Sequence, residues 1–271
     1  MAAQKPYVVI AMGSFQTPWH YERLKTSLEI LGYDASIINL PSTGGWTVVP
    51  EALTKDTVEI RRALARQIDA GRDVVLVAHS QGGVGASAAT KGYGKIGSRP
   101  GVVHIVFVAA FLLEPGITAI EKVGGNEAPW LENKNGLQIP HRARDILYND
   151  LPDDLAEKAA SLVVPNSRTV VEQTIDYVPW NDIPCTYVIC EKDRALLPAV
   201  SQWLLSSVSF VGEIVRMDAG HSPFLSMPDR LAALVGHLAG EKNADVEGIK
   251  LGETIHEVQK GPGWLKQEVL E

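Results

Sequence analysis

Short apolar runs rich in Val and Ile recur along the chain, separated by longer segments of mixed polarity. Each run is continuous and only a few residues long, which is typical of strands that are buried on both faces of a sheet. The six runs are Tyr7–Ala11, Ala35–Asn39, Val74–Ala78, Val102–Ala109, Thr186–Ile189 and Glu213–Met217.

The segments between these runs have the apolar spacing of amphipathic helices. One extends from about Trp19 to Leu31 and is followed by Gly32, and another extends from about Leu53 to Ala70 and is followed by Gly71. A glycine directly after a periodic segment is a common helix stop. A further helix is expected around Asp229–Leu238. Strands that alternate with helices predict an α/β fold, in which helices cover both faces of a mainly parallel sheet.

The alternation stops between Leu113 and Asp182. This segment contains Gly124-Gly125, several prolines and helical patches, but no convincing strand. We therefore predict a helical cap at 113–182, inserted into an α/β core formed by residues 1–112 and 183–240. Residues 241–271 are predicted to be a polar tail, as a surface helix or a partly disordered segment.

Charge and apolar content exclude some functions. The chain has 25 Lys and Arg against 32 Asp and Glu, a net charge of −7, which argues against a nucleic-acid partner. The longest apolar run, Val102 to Leu113, is too short to cross a bilayer, and the N-terminus lacks a signal-peptide pattern. We expect a cytoplasmic protein that does not bind membranes. Cys185 and Cys190 match neither a redox nor a zinc motif, so we expect both to be plain core or edge residues, and we expect no metal.

A candidate nucleophile lies where the third predicted strand meets a helix of small residues. Residues 78–83 read Ala-His-Ser-Gln-Gly-Gly. A serine in a tight strand–turn–helix bend is exposed above the sheet, and the bend needs small residues two positions before and after it. Ala78 and Gly82 meet this requirement, and no glycine-rich phosphate-loop motif is present. We therefore predict that Ser80 is a catalytic nucleophile.

A serine nucleophile needs a histidine base, which a carboxylate orients. His221 follows the last predicted strand in a loop before the final helix, and Asp193 follows the fifth strand. The order Ser80, Asp193, His221 is one known order of triad residues. Glu114, just past the fourth strand, is the alternative acid. His79 adjoins the nucleophile and is expected to be structural.

Acyl transfer also needs two N–H donors for the tetrahedral oxyanion. Gly13 permits a bend after the first strand, and the backbone N–H of Ser14 is one expected donor. The backbone N–H of Gln81, next to the nucleophile, is the other. An ordinary turn capped by Thr17 before Pro18 is the alternative interpretation of the first segment.

Together these residues resemble the α/β-hydrolase superfamily, and more narrowly its short cofactorless branch, which includes plant methylesterases, hydroxynitrile lyases and bacterial and fungal hydrolases. The resemblance covers about residues 5–240 and implies a mainly parallel sheet of six strands, a helical cap and no cofactor. Two residues depart from the pattern: Met12 replaces a histidine often found before the oxyanion glycine, and Ala78 replaces the first elbow glycine. The matching segments are 13–18, 40–45, 78–83, 148–152, 191–194 and 220–223.

The favoured function is a serine hydrolase that cleaves an ester, thioester or lactone of a small, moderately apolar molecule through an acyl-enzyme on Ser80. One alternative is a biosynthetic enzyme that uses the triad for C–C cleavage, cyclisation or proton transfer, and another is a ligand-sensing receptor. Hydroxynitrile lyases of the branch have a lysine where this chain has Ser222, and a threonine where it has Gly13. This difference argues against lyase chemistry.

Aromatic residues are the expected substrate contacts, because they supply large apolar area at small entropic cost. Phe15 lies in the oxyanion turn, and Trp130, Tyr148, Tyr177 and Trp180 lie in or at the end of the predicted cap. The alternative is that the cap aromatics only hold the cap together. The expected partner is a small-molecule substrate, and a homodimer is an expectation that the sequence leaves open.

Overall fold

Six parallel strands and one antiparallel strand form the central sheet of the computed structural model, which describes residues 4–241 and 250–253. Its strands are β1 Tyr7–Ala11, β2 Ala35–Ile38, β3 Val74–His79, β4 Val102–Val108, β8 Cys185–Cys190, β9 Glu213–Met217 and β10 Lys250–Glu253. Their order in the sheet is β10-β9-β8-β4-β3-β1-β2, and of these strands only β10 runs antiparallel, against β9. This architecture confirms the predicted α/β-hydrolase fold class.

Helices cover both faces of the sheet because the strand residues alternate between two apolar clusters. On β1, Val8 packs with Leu24 and Leu231 on one face, and Val9 packs with Leu64 on the other. The two cysteines are buried on β8, where burial raises the pKa of both thiols. The helices of the core are α1 Glu22–Ile30, α2 Ala52–Asp69, α3 Gly82–Ala89, α7 Pro198–Ser207, α8 Pro223–Ser226 and α9 Pro228–Leu238.

The helix boundaries follow the local chemistry of the sequence. The helix expected from Trp19 begins instead as a 3-10 turn, Pro18–Tyr21, before α1, because Pro18 occupies the first helical position. The glycines after α1 and α2, Gly32 and Gly71, both have φ of +82°, the conformation expected of a glycine that ends a helix.

The segment between β4 and β8 contains strands as well as helices, so the expectation of no strand there is wrong. Strands β5, β6 and β7 form a three-stranded antiparallel sheet. The turn between β5 and β6 is Asn135-Gly136, whose φ values of +53° and +77° are those of a two-residue hairpin turn. Polar residues dominate β5 and concealed it. The cap elements are α4 Ala119–Lys122, β5 Leu131–Lys134, β6 Leu137–Pro140, α5 Ala143–Leu147, α6 Asp153–Ser161, β7 Asn166–Ser167 and the 3-10 turns Arg168–Val171 and Pro179–Asn181.

Part of the predicted polar tail belongs to the central sheet. Residues 250–253 form the edge strand β10, with Lys250 opposite Arg216 and Glu253 opposite Ile214. The prediction of a surface helix or partly disordered segment is therefore wrong for these four residues. The rest of that prediction, at 242–249 and 254–271, lies outside the described residues. Among the described helices, none combines the length and the apolar character needed to span a membrane.

Candidate active site

Ser80 occupies a strained bend between β3 and α3. Its φ is +51°, unusual for a residue other than glycine, and its backbone is held by bonds from Ser80 N–H to the Val108 carbonyl at 3.1 Å and from Gly83 N–H to the Ser80 carbonyl at 3.0 Å. Gly82 is required, because a Cβ there would lie 2.2 Å from the Met12 carbonyl oxygen. The bend thus has the geometry of a nucleophile elbow.

Ser80, His221 and Asp193 form a hydrogen-bonded chain. His221 Nε2 lies 3.2 Å from Ser80 Oγ, and His221 Nδ1 lies 2.7 Å from Asp193 Oδ2. The second carboxylate oxygen, Asp193 Oδ1, accepts bonds from the backbone N–H groups of Ala195 at 2.7 Å and Leu196 at 2.9 Å. His221 and Asp193 are buried, so water does not compete for the bond between them. The structure brings together the three residues predicted from the sequence.

The alternative acid does not reach the histidine. Both carboxylate oxygens of Glu114 accept hydrogen bonds from Lys122 Nζ, at 2.7 Å each. His221 Nδ1 donates instead to Asp193 Oδ2. The geometry therefore favours Asp193 over Glu114 as the third member of the triad.

The loops that carry Asp193 and His221 are both attached to the cap. Asn149 Nδ2 donates to the carbonyl of Lys192 at 3.0 Å, and Asp150 Oδ2 accepts from the N–H of Gly220 at 2.6 Å. A Cβ at Gly220 would lie 2.6 Å from Asp150 Oδ1, so this approach requires glycine. The sequence indicated these residues only as members of motifs shared with the family, and it gave no sign of the contact between them.

The two predicted oxyanion donors lie beside the serine. Ser14 and Gln81 line the same cavity as Ser80, and within residues 4–241 and 250–253 neither backbone N–H has a protein acceptor. Gly13 cannot serve as a donor, because its N–H is bonded to Tyr21 Oη at 2.8 Å. The free N–H groups fit a tetrahedral oxyanion held at the start of α3, where the helix dipole favours negative charge.

A cavity of about 1020 Å³ opens over Ser80 and His221. Phe15 and Trp130, two of the predicted substrate contacts, line this cavity. Their rings lie edge to face, with centroids 5.9 Å apart. The charged residues Glu127, Arg142 and Arg194 also line it and were not anticipated from the sequence. Apolar side chains make up much of the remaining wall, among them Phe111, Leu131, Ile146, Leu147, Leu196 and Val200.

Three of the aromatic residues expected in the substrate pocket lie elsewhere. Tyr148 is fully buried in the core, with its ring stacked on His20 at 5.5 Å. Trp180 packs against Phe107 and Phe210, in the apolar cluster that also contains Leu64. Tyr177 donates from Oη to Asp182 at 2.8 Å and is absent from the cavity wall. For these three the alternative applies, because they stabilise the packing of the cap and the core.

Comparisons with known proteins agree with this geometry. The model of the alpha/beta hydrolase family matches residues 8–234. The alpha/beta hydrolase nvfD of Aspergillus novofumigatus is 31% identical over 245 residues, which cover 88% of this chain and 98% of that protein. Methylesterase 7 of Arabidopsis thaliana is 26% identical over 260 residues, which cover 87% of this chain and 96% of the relative.

A solved structure gives the same fold. The crystal structure of a pyrethroid hydrolase from Sphingobium faniae superimposes with a TM-score of 0.70 at 21% identity, covering 88% of this chain and 98% of that one. At this identity the likeness establishes the fold alone. The family match, in contrast, extends over most of the sequence and includes both the elbow and the histidine loop. The chain belongs to the alpha/beta hydrolase family and is a hydrolase enzyme of that type.

Proposed function

We propose that this protein is a serine hydrolase that cleaves an ester, thioester or lactone of a small, moderately apolar molecule through an acyl-enzyme on Ser80. The observation that carries the proposal is the chain of hydrogen bonds from Ser80 Oγ through His221 to the buried Asp193. Ser80 faces the cavity beside the backbone N–H groups of Ser14 and Gln81, which have no acceptor among the described residues. These are the parts that acyl transfer requires.

Each group has one task in this mechanism. Ser80 Oγ attacks the substrate carbonyl while His221 Nε2 takes the hydroxyl proton, and the N–H groups of Ser14 and Gln81 stabilise the oxyanion. Asp193 keeps the other ring proton on Nδ1, so that Nε2 is free to accept. His221 then returns its proton to the leaving alcohol or thiol, and a water molecule activated by the same histidine hydrolyses the acyl-enzyme.

The cavity supports a bulky substrate. Ligand cavities generally measure roughly 300 to 1,000 Å³, and this one, at about 1020 Å³, is at the upper end of that range. Its walls are largely apolar, with polar residues such as Glu127 in a minority. The relative named methylesterase 7, which by its name acts on methyl esters, adds support for carboxylic esters.

The test is a panel of p-nitrophenyl esters of increasing acyl length, assayed on wild type and Ser80→Ala. Wild type should show a burst of p-nitrophenol, and its mass should increase by one acyl group on the peptide that contains Ser80. Ser80→Ala should lose both signals. Ser87→Ala is the matched control, because Ser87 lies in α3, is buried, and its hydroxyl donates to the Gly83 carbonyl at 2.8 Å. It should keep wild-type turnover.

Two results would contradict the proposal. Equal hydrolysis by wild type and Ser80→Ala would mean that Ser80 is not the nucleophile. Labelling of Ser80 by a serine-reactive phosphonate, without hydrolysis of any ester, thioester or lactone, would point instead to a triad used for C–C cleavage, cyclisation or proton transfer.

A further inference from the structure

Behind the nucleophile elbow, a buried tyrosine connects three parts of the candidate site. Tyr21 is 1% exposed. Its Oη accepts from the N–H of Gly13 at 2.8 Å and lies 2.8 Å from His79 Nδ1. Gly13 directly precedes the oxyanion donor Ser14, and His79 directly precedes the nucleophile. One hydroxyl thus contacts the oxyanion turn and the elbow together.

The same network reaches the catalytic histidine. His79 Nε2 lies 2.9 Å from the carbonyl oxygen of His221. Along a second route, Tyr21 Oη donates to Gln16 Oε1 at 2.5 Å, and Gln16 Nε2 donates at 3.2 Å to the hydroxyl of Ser222, next to His221. The backbone of the base is therefore connected to the oxyanion turn through side chains that are all buried.

The contacts of His79 fix the tautomer of its ring. Burial, and then the neighbouring His221, lower the pKa of His79 well below its usual value, so its ring is neutral. Nε2 faces a carbonyl, which can only accept, so Nε2 carries the ring proton. Nδ1 is then an acceptor for the Tyr21 hydroxyl.

The Tyr21 hydroxyl faces two acceptors, Gln16 Oε1 and His79 Nδ1, while its oxygen accepts from the N–H of Gly13. Its single proton serves one of the two acceptors at a time, and the oxygen stays in contact with both residues. These groups are buried, so water does not compete for the contacts. The hydroxyl therefore holds the oxyanion turn, the elbow and the histidine loop together.

We propose that Tyr21 is a positioning residue, which holds the oxyanion turn and the backbone of His221 in register with Ser80 through Gly13 and His79. The proposal rests on the acyl-transfer function proposed above. Tyr21 does not line the cavity in the described structure, so it acts on the geometry of the transition state and not on substrate binding. Its loss should lower kcat and leave KM unchanged.

The experiment compares Tyr21→Phe with Tyr33→Phe. The first variant removes only the hydroxyl, since the ring still stacks on Phe224 at a centroid distance of 4.1 Å. Tyr33 is a matched control, because it is buried in the same apolar cluster but its hydroxyl donates to the carbonyl of Gly236 in α9 and not to a residue of the candidate site. Thermal unfolding of both variants corrects for a general loss of stability.

We expect kcat of Tyr21→Phe to fall about 10-fold to 100-fold, below the roughly 10²- to 10³-fold cost of removing an oxyanion donor outright, with KM within about twofold of wild type. Tyr33→Phe should keep wild-type kcat. A Tyr21→Phe enzyme with kcat and phosphonate-labelling rate within twofold of wild type would overturn the proposal. So would equal losses in the two variants.

Two further measurements separate this proposal from the proposed function. If wild type hydrolyses no ester but is labelled at Ser80, the labelling rate of Tyr21→Phe replaces kcat as the readout. If wild type is neither active nor labelled, ¹⁵N spectra of the ring nitrogens decide. A shift of the His79 Nδ1 and His221 Nδ1–H signals in Tyr21→Phe, absent in Tyr33→Phe, supports the positioning role, and unchanged signals overturn it.

Discussion

Replacement of Asp193 by asparagine tests how the triad sets the tautomer of His221. Asp193 Oδ1 accepts two backbone N–H bonds, from Ala195 and Leu196, and an asparagine oxygen can keep both. The NH₂ group of the asparagine then occupies the Oδ2 position, 2.7 Å from His221 Nδ1. Since NH₂ can only donate, Nδ1 must become the acceptor, and the ring proton moves to Nε2. His221 can no longer take the proton of Ser80.

The magnitude follows from this loss of the base. The same substitution in other triads lowers kcat by a factor of about 10⁴, which corresponds to about 5.5 kcal/mol in the activation free energy. The free energy of unfolding should change far less, by about 1 to 2 kcal/mol, because both backbone bonds are kept and a buried charge is removed. A large catalytic loss in a folded protein is therefore the expected result.

The assay measures kcat on the best p-nitrophenyl ester from the panel, together with unfolding in urea. Glu114→Gln is the control, because Glu114 is bonded to Lys122 and not to His221. It should retain at least half of wild-type kcat. The tautomer argument would be refuted if Asp193→Asn kept more than a tenth of wild-type kcat. The assignment of the acid would be refuted if Glu114→Gln were the inactive variant.

Three other predictions concern the cavity, the cap and the core. Trp130→Ala should lower kcat/KM for a bulky ester by about 10-fold to 200-fold relative to a short acetyl ester, whereas Tyr177→Ala, which is outside the cavity, should lower neither in paired assays. Asp150→Ala should lower kcat about tenfold with KM unchanged, because the histidine loop loses a bond of 2.6 Å, and Asp150→Asn should restore part of it. Burial raises the pKa of Asp56 from 3.8 to about 6, so the charge of this carboxylate disfavours the folded state from about pH 4 upward, and fully above pH 6. Asp56→Asn should therefore raise the unfolding free energy by up to about 3 kcal/mol at pH 8, and urea melts should show that this gain vanishes below about pH 3, where the carboxyl is neutral in both states.

The sequence predicted the parts of the molecule that depend on local patterns. Buried strands, the glycine stops after α1 and α2, and the bend at Ser80 each have a signal within a few residues. His221 and Asp193 were found because the ends of parallel strands meet at one edge of the sheet. The hairpin of the cap was missed because β5 is polar, although Asn135-Gly136 is a turn signal that could have indicated it.

Contacts between distant segments were beyond the reach of sequence patterns. Whether an aromatic ring faces the cavity or the core depends on the packing of the whole cap, so Trp130 could not be distinguished from Trp180. The contact between Asp150 and Gly220 joins residues 70 positions apart. The tyrosine network behind the elbow is equally non-local, since it joins Tyr21 to His79, 58 positions away.

The bonds from Asn149 and Asp150 to the two triad loops limit how this enzyme could acquire new substrates. Cap residues such as Trp130 and Leu131 line the cavity, and within the described part of the chain neither has a hydrogen bond to Asp193, His221 or Ser80. The segment 148–152 is different, because its side chains help to align the acid and the base. A chimera that takes its cap from a relative should therefore keep this segment and replace the residues on either side of it. In such a chimera, the exchanged cap residues set the substrate range, and the retained segment 148–152 preserves the alignment of the triad.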